Sequence, residues 1–364
     1  MAIDKVTSAA LETSTNQPNF RNIIINGDMS QAQRGTSVSS LTGTDATCDR
    51  WRFAATSAGT WTISQSTTVP TGEGFATSFK ADCTTANGSL SAGSILRFSQ
   101  FIEGQNLQYL KKGTSSAESL TISFHVRSAK TGTYIVNIKD RDNSRSFSQS
   151  YTISSADTWE KKTITFDGDT TGAFGNDNDW SLEVHFYLVA GTTYTSGTLA
   201  TAWESSTSAN LAVGQVNLAD STSNDWYVTG IQLEAGSVAS DFEFLPHDVN
   251  EERCLRYCFK HGGEASTQYL NAQGGYYDAN YIAFGLVSPP VPMRSAPSLT
   301  VNGTVIVHRL NTDYTGWTWG FISGVQSQSW FVSANKSSHG VTAQHSLIKC
   351  ATTSDFFLYS SEFF

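Results

Sequence analysis

The sequence predicts an all-β protein, and three observations support this fold class. Charged residues make up only 15% of the chain while aromatic residues reach 12%, a balance that favours strands over helices. Apolar and polar residues alternate with a period of two in several stretches, as in half-buried strands. Turn sequences such as KTGT, DGDTTG and NGS separate those stretches. We therefore expect many short strands joined by tight turns.

The clearest alternation lies in SLTISFHVRSA. One face of this predicted strand carries the apolar residues Leu120, Ile122, Phe124 and Val126. The other face carries Thr121, Ser123, His125 and Arg127. Successive side chains of a strand point to opposite sides, so the first set is predicted to lie in the core and the second on an open face.

The stretch WSLEVHFYLVAG repeats this pattern. The predicted core set is Trp180, Leu182, Val184, Phe186 and Leu188, and the predicted outer set is Ser181, Glu183, His185 and Tyr187. Two further strands are predicted around residues 134–138 and 164–166 from the same periodicity.

At 364 residues and 39.4 kDa, the chain is predicted to form two domains, because single cores rarely grow beyond about 250 to 300 residues. A helix is predicted in DVNEERCLRYCFK, where Asp248 is a suitable N-cap and Glu251 has capping-box spacing. We predict an N-terminal arm over residues 1–20, a β-sandwich over 21–247, a linking helix over 248–261 and a smaller C-terminal β-domain over 262–364. The small, polar residues of the arm suit either a loose terminus or a segment that becomes ordered against a partner.

Several partners and locations are disfavoured by composition. The formal net charge is −9 and no basic run is present, so we predict no nucleic-acid partner. No run of eighteen apolar residues occurs, and the first twenty residues lack the apolar core of a secretory signal, so we predict no membrane insertion and no export by that route. The five cysteines are scattered and odd in number, which fits synthesis in a reducing cytoplasm.

Catalytic motifs are not found. The sequence has no Gly-x-Ser-x-Gly elbow, no His-Glu-x-x-His pair and no glycine pattern for nucleotide phosphates. Spacing along the chain does not test for the paired carboxylates of glycosidases, since their separation is set by the fold. We predict a protein that is not an enzyme, without catalytic residues and without a cofactor.

Two groups of residues leave metal binding as an alternative. The first group brackets the predicted helix and has the ligand types that zinc prefers: His247, Cys254, Cys258 and His261. Buried cysteines also act as small apolar residues, and we favour that role. The second group, in GNDNDW at 175–180, supplies oxygen ligands for calcium but lacks the glycine and distal glutamate of an EF-hand loop. We favour a polar loop there and predict no metal site, with calcium left open.

The opening stretch NIIINGDMSQAQRGTS is consistent with a catalytic loop, a calcium-binding turn or the first strand and corner of a sandwich. Together with CDRWRF, FSQFIEGQN, TISFHVRSAKTGTYIV, TWEKKTITFDGDTT and GIQLEAGSVASDFEFLPHDVNEERCLRYCFK, it resembles the jelly-roll domains, similar to carbohydrate-binding modules, of bacteriophage tail-fibre and other virion proteins. The resemblance spans about residues 20 to 260. It implies that the stretch is a first strand followed by an Asn-Gly turn, and that Arg34, Asp49, Arg50 and Trp51 are framework residues.

The remainder, VPMRSAPSLTV and the terminal LYSSEFF, is similar to the small β-domain that follows such jelly rolls. The resemblance implies a homotrimer on the virion, assembled in the host cytoplasm. From its position before the first predicted strand and its small polar residues, we expect the N-terminal arm to join the protein to other virion proteins. Exposed aromatics in DFFLYSSEFF would favour aggregation. We therefore expect their burial within the domain or in a subunit interface, and we predict a role in oligomerisation for this domain.

The predicted function is that of a tail-fibre protein that binds a host surface glycan or receptor during adsorption. A purely structural virion component, such as a tail adaptor or capsid fibre, is the alternative, and a polysaccharide depolymerase is a third and weaker one. For a glycan, the outward residues of two strands supply donors and an aromatic surface. The predicted binding residues are His125, Arg127, His185 and Tyr187, with solvated strand residues or subunit contacts as the alternative role.

Overall fold

The computed structural model describes residues 20–263, 269–278, 281–309, 312–321, 328–337, 346–352 and 354–363. The chain divides into an N-terminal unit, residues 1–246, and a C-terminal unit, residues 247–363. Strands dominate both, so the all-β prediction is confirmed. In the described part of the chain, no helix is long and apolar enough to cross a membrane.

The N-terminal unit is built from thirteen described strands. In chain order they are β1 (Ser37–Leu41), β2 (Thr44–Asp45), β3 (Arg52–Thr56), β4 (Thr60–Ser66), β5 (Ser78–Thr85), β6 (Ile95–Glu103), β7 (Leu120–Ser128), β8 (Gly132–Asp140), β9 (Arg145–Ile153), β10 (Glu160–Phe166), β11 (Trp180–Ala190), β12 (Glu204–Ser205) and β13 (Asp225–Ala235). A one-turn helix, α1 (Thr192–Thr195), follows β11. Short 3-10 turns lie at Gly104–Asn106, Gln108–Leu110, Ser208–Asn210 and Leu218–Asp220.

These strands form two antiparallel sheets. Sheet A has the order β1-β4-β5-β13-β7-β10, and sheet B has the order β12-β9-β8-β11-β6-β3-β2. The chain crosses between the sheets repeatedly, since β5 and β7 belong to sheet A while β6 and β8 belong to sheet B. The predicted jelly-roll β-sandwich is therefore confirmed.

The core lies between the two sheets and is rich in rings. Trp51 stacks on Phe98 with ring centroids 4.5 Å apart, and Phe79 stacks on the same ring at 4.1 Å. Phe124 of sheet A meets Phe186 of sheet B edge-to-face at 5.0 Å. The alternation in both quoted strands placed the even-numbered residues from 120 to 126 and from 182 to 188 correctly in this core. Each such side chain contributes about 2 to 3 kcal/mol by burial.

Trp180 departs from the predicted parity. Trp180 pairs with Glu103 and Leu182 pairs with Ile102, so β11 has a bulge between Trp180 and Leu182. An extra residue at a bulge reverses the side to which the preceding side chain points. The indole therefore leaves the core side and lies on the outer face, where its Nε1 donates a hydrogen bond to Glu183 at 2.9 Å. The prediction of Trp180 as a core residue was wrong.

The predicted first strand at Ile23 to Ile25 is also corrected. These residues are buried but do not form a regular strand. The amide of Ile23 donates to the carbonyl of Leu233 at 2.8 Å, whereas the amide of Ile25 donates to the side chain of Gln100 at 2.8 Å. Because Asn26 follows in the left-handed region at φ 57°, the chain turns instead of extending a ladder.

The turn itself anchors the framework. Trp51 Nε1 donates to the carbonyl of Asn26 at 3.0 Å, and the side-chain amide of Asn26 donates to the carbonyl of Asp49 at 2.9 Å. At Gly27 a Cβ atom would lie 2.0 Å from the carbonyl oxygen of Ile231. Only glycine permits this approach, which explains the Asn-Gly pair in the motif.

The two ends of the N-terminal unit lie side by side. The amides of Phe20 and Asn22 donate to the two carboxylate oxygens of Glu243 at 2.7 and 3.0 Å. The guanidinium of Arg21 donates to the carbonyl of Asp241 at 2.9 Å. We call this arrangement the Glu243 clamp. The predicted arm ends here, and its residues 1–19 lie outside the described residues.

The C-terminal unit begins with α2 (His247–Leu255). Its described strands are β14 (Cys258–Gly262), β15 (Tyr269–Asp278), β16 (Tyr281–Val287), β17 (Ser298–Asn302), β18 (Val305–Arg309), β19 (Thr312–Tyr314), β20 (Thr318–Phe321), β21 (Trp330–Asn335), β22 (Ser346–Cys350) and β23 (Phe356–Ser360). They form one sheet in the order β14-β23-β17 and another in the order β19-β18-β22-β15-β16-β21-β20. The helix is shorter than the predicted 248–261, because residues from Cys258 onward pair with β23 instead.

The terminal aromatic residues are buried within this unit. Strand β23 lies between β14 and β17, and Phe357 and Tyr359 are 1% and 0% exposed. Tyr359 packs on Trp330 with ring centroids 4.7 Å apart. Burial within the domain and burial in a subunit interface were the two expectations, and the described residues show the first. These aromatics give no support to a subunit interface.

Candidate functional site

The outer face of sheet B gathers polar, charged and aromatic side chains from four adjacent strands. Arg52 lies opposite Ser99, Ser99 opposite His185, and His185 opposite Asn137. Directly paired residues of an antiparallel sheet point to the same side, so these form one row across the sheet. We define the sheet B face by this row and its neighbours: Arg52, Arg97, Ser99, Phe101, Asn137, Lys139, Trp180, Glu183, His185 and Tyr187.

A chain of hydrogen bonds runs through the middle of the sheet B face. Ser99 Oγ lies 2.7 Å from His185 Nδ1, and His185 Nε2 lies 2.9 Å from Glu183 Oε2. The second oxygen of Glu183 accepts the bond from Trp180 Nε1. His185 and Glu183 are only 2% and 7% exposed. This buried chain fixes the orientation of the partly exposed indole.

The protonation of this chain follows from its surroundings. The pKa of His185 is lowered to about 4, chiefly by burial and also by the charges of Arg97 and Lys139, against the opposing effect of Glu183. Burial raises the pKa of Glu183, but the hydrogen bond from His185 and the charge of Lys139 outweigh it and hold this pKa at about 2. At neutral pH the imidazole is therefore neutral. Its Nε2–H donates to the Glu183 carboxylate, and its Nδ1 accepts from the Ser99 hydroxyl.

Cationic side chains surround this chain. The Arg52 guanidinium lies 5.8 Å from the centroid of the Phe101 ring, and that of Arg97 lies 6.0 Å from the Tyr187 ring. Lys139 Nζ is 3.9 Å from Glu183 Oε2. These three side chains are partly exposed. The Arg141 guanidinium lies 4.8 Å from the centroid of the Trp180 ring. The arrangement therefore offers hydrogen-bond donors and positive charge to a ligand beside the part of the indole that stays exposed.

Part of the sheet B face is covered by the segment 191–216. Leu211 and Ala212 pack with Ile135 and Tyr187, and the hydroxyl of Ser148 donates to the carbonyl of Leu211 at 2.8 Å. Tyr187 is fully buried as a result. The open part of the face runs from Arg52 and Arg97 towards Lys139 and Trp180. The covering segment forms its wall.

The four predicted binding residues do not form one surface. Strand β7 belongs to sheet A and β11 to sheet B, so His125 and Arg127 lie on the opposite side of the sandwich from His185 and Tyr187. The period-two alternation correctly placed His125 and Arg127 on the outer face of sheet A, and His185 and Tyr187 on the outer face of sheet B. Sequence spacing carries no information on which sheet a strand joins, and this led to the single-site interpretation.

The sheet A pair is engaged in structural contacts. Arg127 forms an ion pair with Asp157 at 2.8 Å and lies 4.9 Å from the Tyr227 ring centroid. His125 is 7% exposed and packs against Phe75 with centroids 5.4 Å apart. Burial lowers the pKa of His125, opposed by Glu73. His125 is therefore not the solvated strand residue of the alternative role, and the binding role of this pair stays a prediction.

The loop GNDNDW, residues 175–180, leads into Trp180. Carboxylates in and beside this loop accept hydrogen bonds from its backbone amides. The amide of Gly175 donates to Asp142 at 2.8 Å, and that of Asp179 donates to Asp177 at 3.0 Å. Near this loop, oxygen atoms of the protein surround the ammonium group of Lys112. Lys112 Nζ lies 2.5 Å from Asp140, 3.0 Å from Asp169 and 2.8 Å from the carbonyls of residues 171 and 172. Four oxygens thus surround one ammonium group.

Cys254 and Cys258, the thiols of the zinc alternative, are both fully buried. Among the described residues, no group of three or more histidine, cysteine, aspartate and glutamate side chains has the geometry to hold a metal ion.

Sequence reasoning missed Arg52, Arg97 and Trp180 as outer-face residues. A signal existed for both arginines. In ILRFSQF and WRFAA, apolar residues alternate with Arg97, Ser99 and Arg52, which is the period of a half-buried strand. The bulge that turned Trp180 outward has no such signal in the sequence.

Comparison with known proteins gives structural similarity only. No family model and no curated protein matches the sequence. A bacteriophage CBA120 tailspike protein 4 domain, described as enzymatically active, is 15% identical, with 59% of this chain and 21% of that chain covered and a TM-score of 0.31. The match therefore spans about a fifth of the length of that solved chain.

Two carbohydrate-binding modules are also similar. One is TmCBM61 in complex with beta-1,4-galactotriose, at 9% identity, with 59% of this chain and 99% of that chain covered and a TM-score of 0.29. The other is a family 11 module from Clostridium thermocellum in complex with a beta-1,3-1,4-mixed-linked tetrasaccharide, at 12% identity, with 56% and 97% covered and a TM-score of 0.28.

Proposed function

We propose that the N-terminal unit is a glycan-binding domain and that the sheet B face is its binding site. The observation that carries this proposal is the partly exposed indole of Trp180, held by the buried Ser99-His185-Glu183 chain next to arginine and lysine donors. Sugar hydroxyls need directional hydrogen-bond partners, and their C–H faces pack on rings. A pre-oriented ring beside several donors meets both needs without ordering costs on binding.

The experiment is a glycan array with the purified full chain, compared with the variants Trp180→Ala and Trp159→Ala. Trp159 is the matched control, because it is a partly buried tryptophan that lies against Tyr227 of sheet A. Trp180→Ala is expected to weaken binding by about 1 to 3 kcal/mol, while Trp159→Ala retains it. Binding by Trp180→Ala equal to that of the unmodified chain would refute the site.

The wider role that we propose is that of a bacteriophage virion fibre of the tail-fibre type, which contacts a host surface polysaccharide or receptor during adsorption. The order and identity of the sequence motifs that resemble such proteins support it. In this role the protein is a homotrimer, is attached to other virion proteins through its N-terminal arm and is not an enzyme. Light scattering coupled to gel filtration should give about three times 39.4 kDa, and a monodisperse monomer would count against the trimer.

A structural virion component is the second candidate, since the same sandwich serves equally as a spacer. The experiment compares particles assembled with the full chain and particles assembled with a chain that lacks residues 2–19. It separates attachment to the particle from binding to glycans. We expect the truncated chain to bind glycans normally and to be lost from particles. A chain that assembles normally without its arm contradicts the attachment role, and release of reducing ends from host polysaccharide would indicate a depolymerase instead.

A further inference from the structure

Two arginines of the sheet B face lack the carboxylate partners that comparable arginines have. Arg127 and Arg145 form ion pairs with Asp157 and Asp169 at 2.8 and 2.7 Å. Within the described part of the chain, neither Arg52 nor Arg97 forms an ion pair, and Arg52 Nε is buried without an acceptor. Arg97 also contacts the Tyr187 side chain. The partly exposed part of each guanidinium therefore has no carboxylate partner among the described residues and can meet an anion from outside the chain.

These two guanidiniums also lie close to one another. Arg52 pairs with Ser99, and the next outward residue of β3, Ala54, pairs with Arg97, so the arginines are diagonal neighbours on one face. Burial lowers the pKa of Arg52 and the charge of Arg97 lowers it further, while the nearby Glu183 carboxylate opposes both without forming an ion pair with Arg52. Two like charges, partly removed from water, repel each other at a cost that a shared anion would remove.

The surroundings hold the two groups in place for such an anion. Each guanidinium lies over an aromatic ring, Phe101 for Arg52 and Tyr187 for Arg97. A planar guanidinium presents parallel N–H donors that match the two oxygens of a carboxylate. Arg97 and Phe101 are four positions apart on β6, roughly 13 Å along the strand. An anionic group at the arginines and a sugar ring near Trp180 can thus be bound together.

We infer that the ligand of the sheet B face is an acidic glycan whose negatively charged substituent binds between Arg52 and Arg97. This inference rests on the proposed glycan-binding function and names the class of glycan. The formal net charge of −9 makes the rest of the molecule repel polyanions. Binding of an acidic polysaccharide therefore has to depend on a local cationic site.

The test measures binding of the full chain by calorimetry to two pairs of probes. Polygalacturonate is compared with its carboxyl-reduced form, and dextran sulfate with dextran, at about 20 mM and about 0.3 M NaCl. The first pair tests carboxylate groups and the second sulfate groups. We expect an acidic probe to bind at least about tenfold more tightly than its neutral counterpart, with affinity falling as salt rises.

Variants connect this preference to the two arginines. The double variant Arg52→Gln/Arg97→Gln is expected to lose the acidic preference, and Arg52→Lys/Arg97→Lys to lose about tenfold while keeping the salt dependence. The matched control Lys111→Gln/Lys161→Gln removes two charges from exposed positions and should bind normally. The lysine variant keeps a positive charge at positions 52 and 97. It therefore still tests the inference if the glutamine variant does not fold.

The outcomes separate this inference from the proposed function. Neutral glycans that bind through Trp180 while no acidic probe binds better would overturn the inference and leave the glycan-binding function standing. Equal acidic binding by the arginine variants and the unmodified chain would also overturn it. If the array and both probe pairs give no binding, the proposed function and the inference both fall.

Discussion

The Nε2 of His185 lies 2.9 Å from Glu183 Oε2, in a site where burial keeps the imidazole neutral at pH 7. A histidine whose folded pKa lies below its unfolded value binds its proton more readily when the chain unfolds. Its stabilising contribution is thus present above pH 6.5 and is lost as the pH falls towards about 4. Glu183, with its pKa held at about 2, acts in the same direction at lower pH.

We therefore expect the stability of the N-terminal unit to fall between pH 6.5 and pH 4. One proton accounts for a slope of at most about 1.4 kcal/mol per pH unit. The variant His185→Gln should lose that part of the slope, as measured by urea denaturation across this range. Ser99→Ala is the control, because it removes the hydrogen bond to Nδ1 and keeps the titrating ring. Identical pH profiles for His185→Gln and the unmodified chain would contradict this account.

Lys112→Met is expected to destabilise the N-terminal unit by about 3 to 5 kcal/mol, since it leaves the Asp140 carboxylate buried without a cation, while Asp169 keeps its ion pair with Arg145. The adjacent Lys111 is the control. Its side chain is 46% exposed and forms a surface ion pair with Glu118 at 2.7 Å, so Lys111→Met should cost less than about 1 kcal/mol. Equal losses in chemical denaturation would show that Lys112 is not an internal counterion.

Gly27→Ala is expected to cost more than about 2 kcal/mol, because the new Cβ would meet the carbonyl oxygen of Ile231 at 2.0 Å and backbone must move. At Gly43 a Cβ would meet nothing within 4 Å. Gly43→Ala should therefore be neutral or slightly stabilising. Thermal unfolding of the two variants gives the comparison. A similar melting temperature for both would mean that the turn after Asn26 adapts easily.

Phe357→Ala should destabilise the C-terminal unit by about 3 to 5 kcal/mol, because this ring is 1% exposed in the central strand β23. The matched substitution Phe331→Ala removes a ring that is 47% exposed and should cost within about 0.5 kcal/mol. Light scattering under native conditions should give the same oligomeric state for both. Dissociation of an otherwise folded Phe357→Ala chain would instead place this ring in a subunit contact.

Much of the sandwich could be predicted from sequence because strand periodicity is local. Alternation placed Phe124 and Phe186 in the core and His185 on the outer face. The order of apolar and polar residues within one strand is enough to show which side chains face the core. The site itself depends on strand order, which is set by pairing between distant residues. Nothing within β7 or β11 shows that they join different sheets. The prediction for Trp180 was wrong because a single bulge in β11 turned its side chain from the core to the outer face.

The arginines of the sheet B face illustrate a different limit. The alternating sequence around Arg97 was readable as a half-buried strand, but an arginine on such a face is ordinarily expected to find a carboxylate nearby. Whether it does is settled only when the sheets assemble. Among the described residues Arg52 and Arg97 form no ion pair, which is a property of the assembled face, and the sequence holds no local sign of it.

The Glu243 clamp decides which bonds would carry a mechanical load. Residues 20–22 and 241–243 are joined by side-chain and backbone hydrogen bonds at the two ends of the N-terminal unit. A pull applied between residue 19 and residue 247 is borne first by these bonds. While they hold, the ladders of sheets A and B carry no tension, and the face that includes Arg52 and Trp180 keeps its geometry. The load then passes through Glu243 and through the bond from Arg21 to Asp241, and the sandwich lies beside this path.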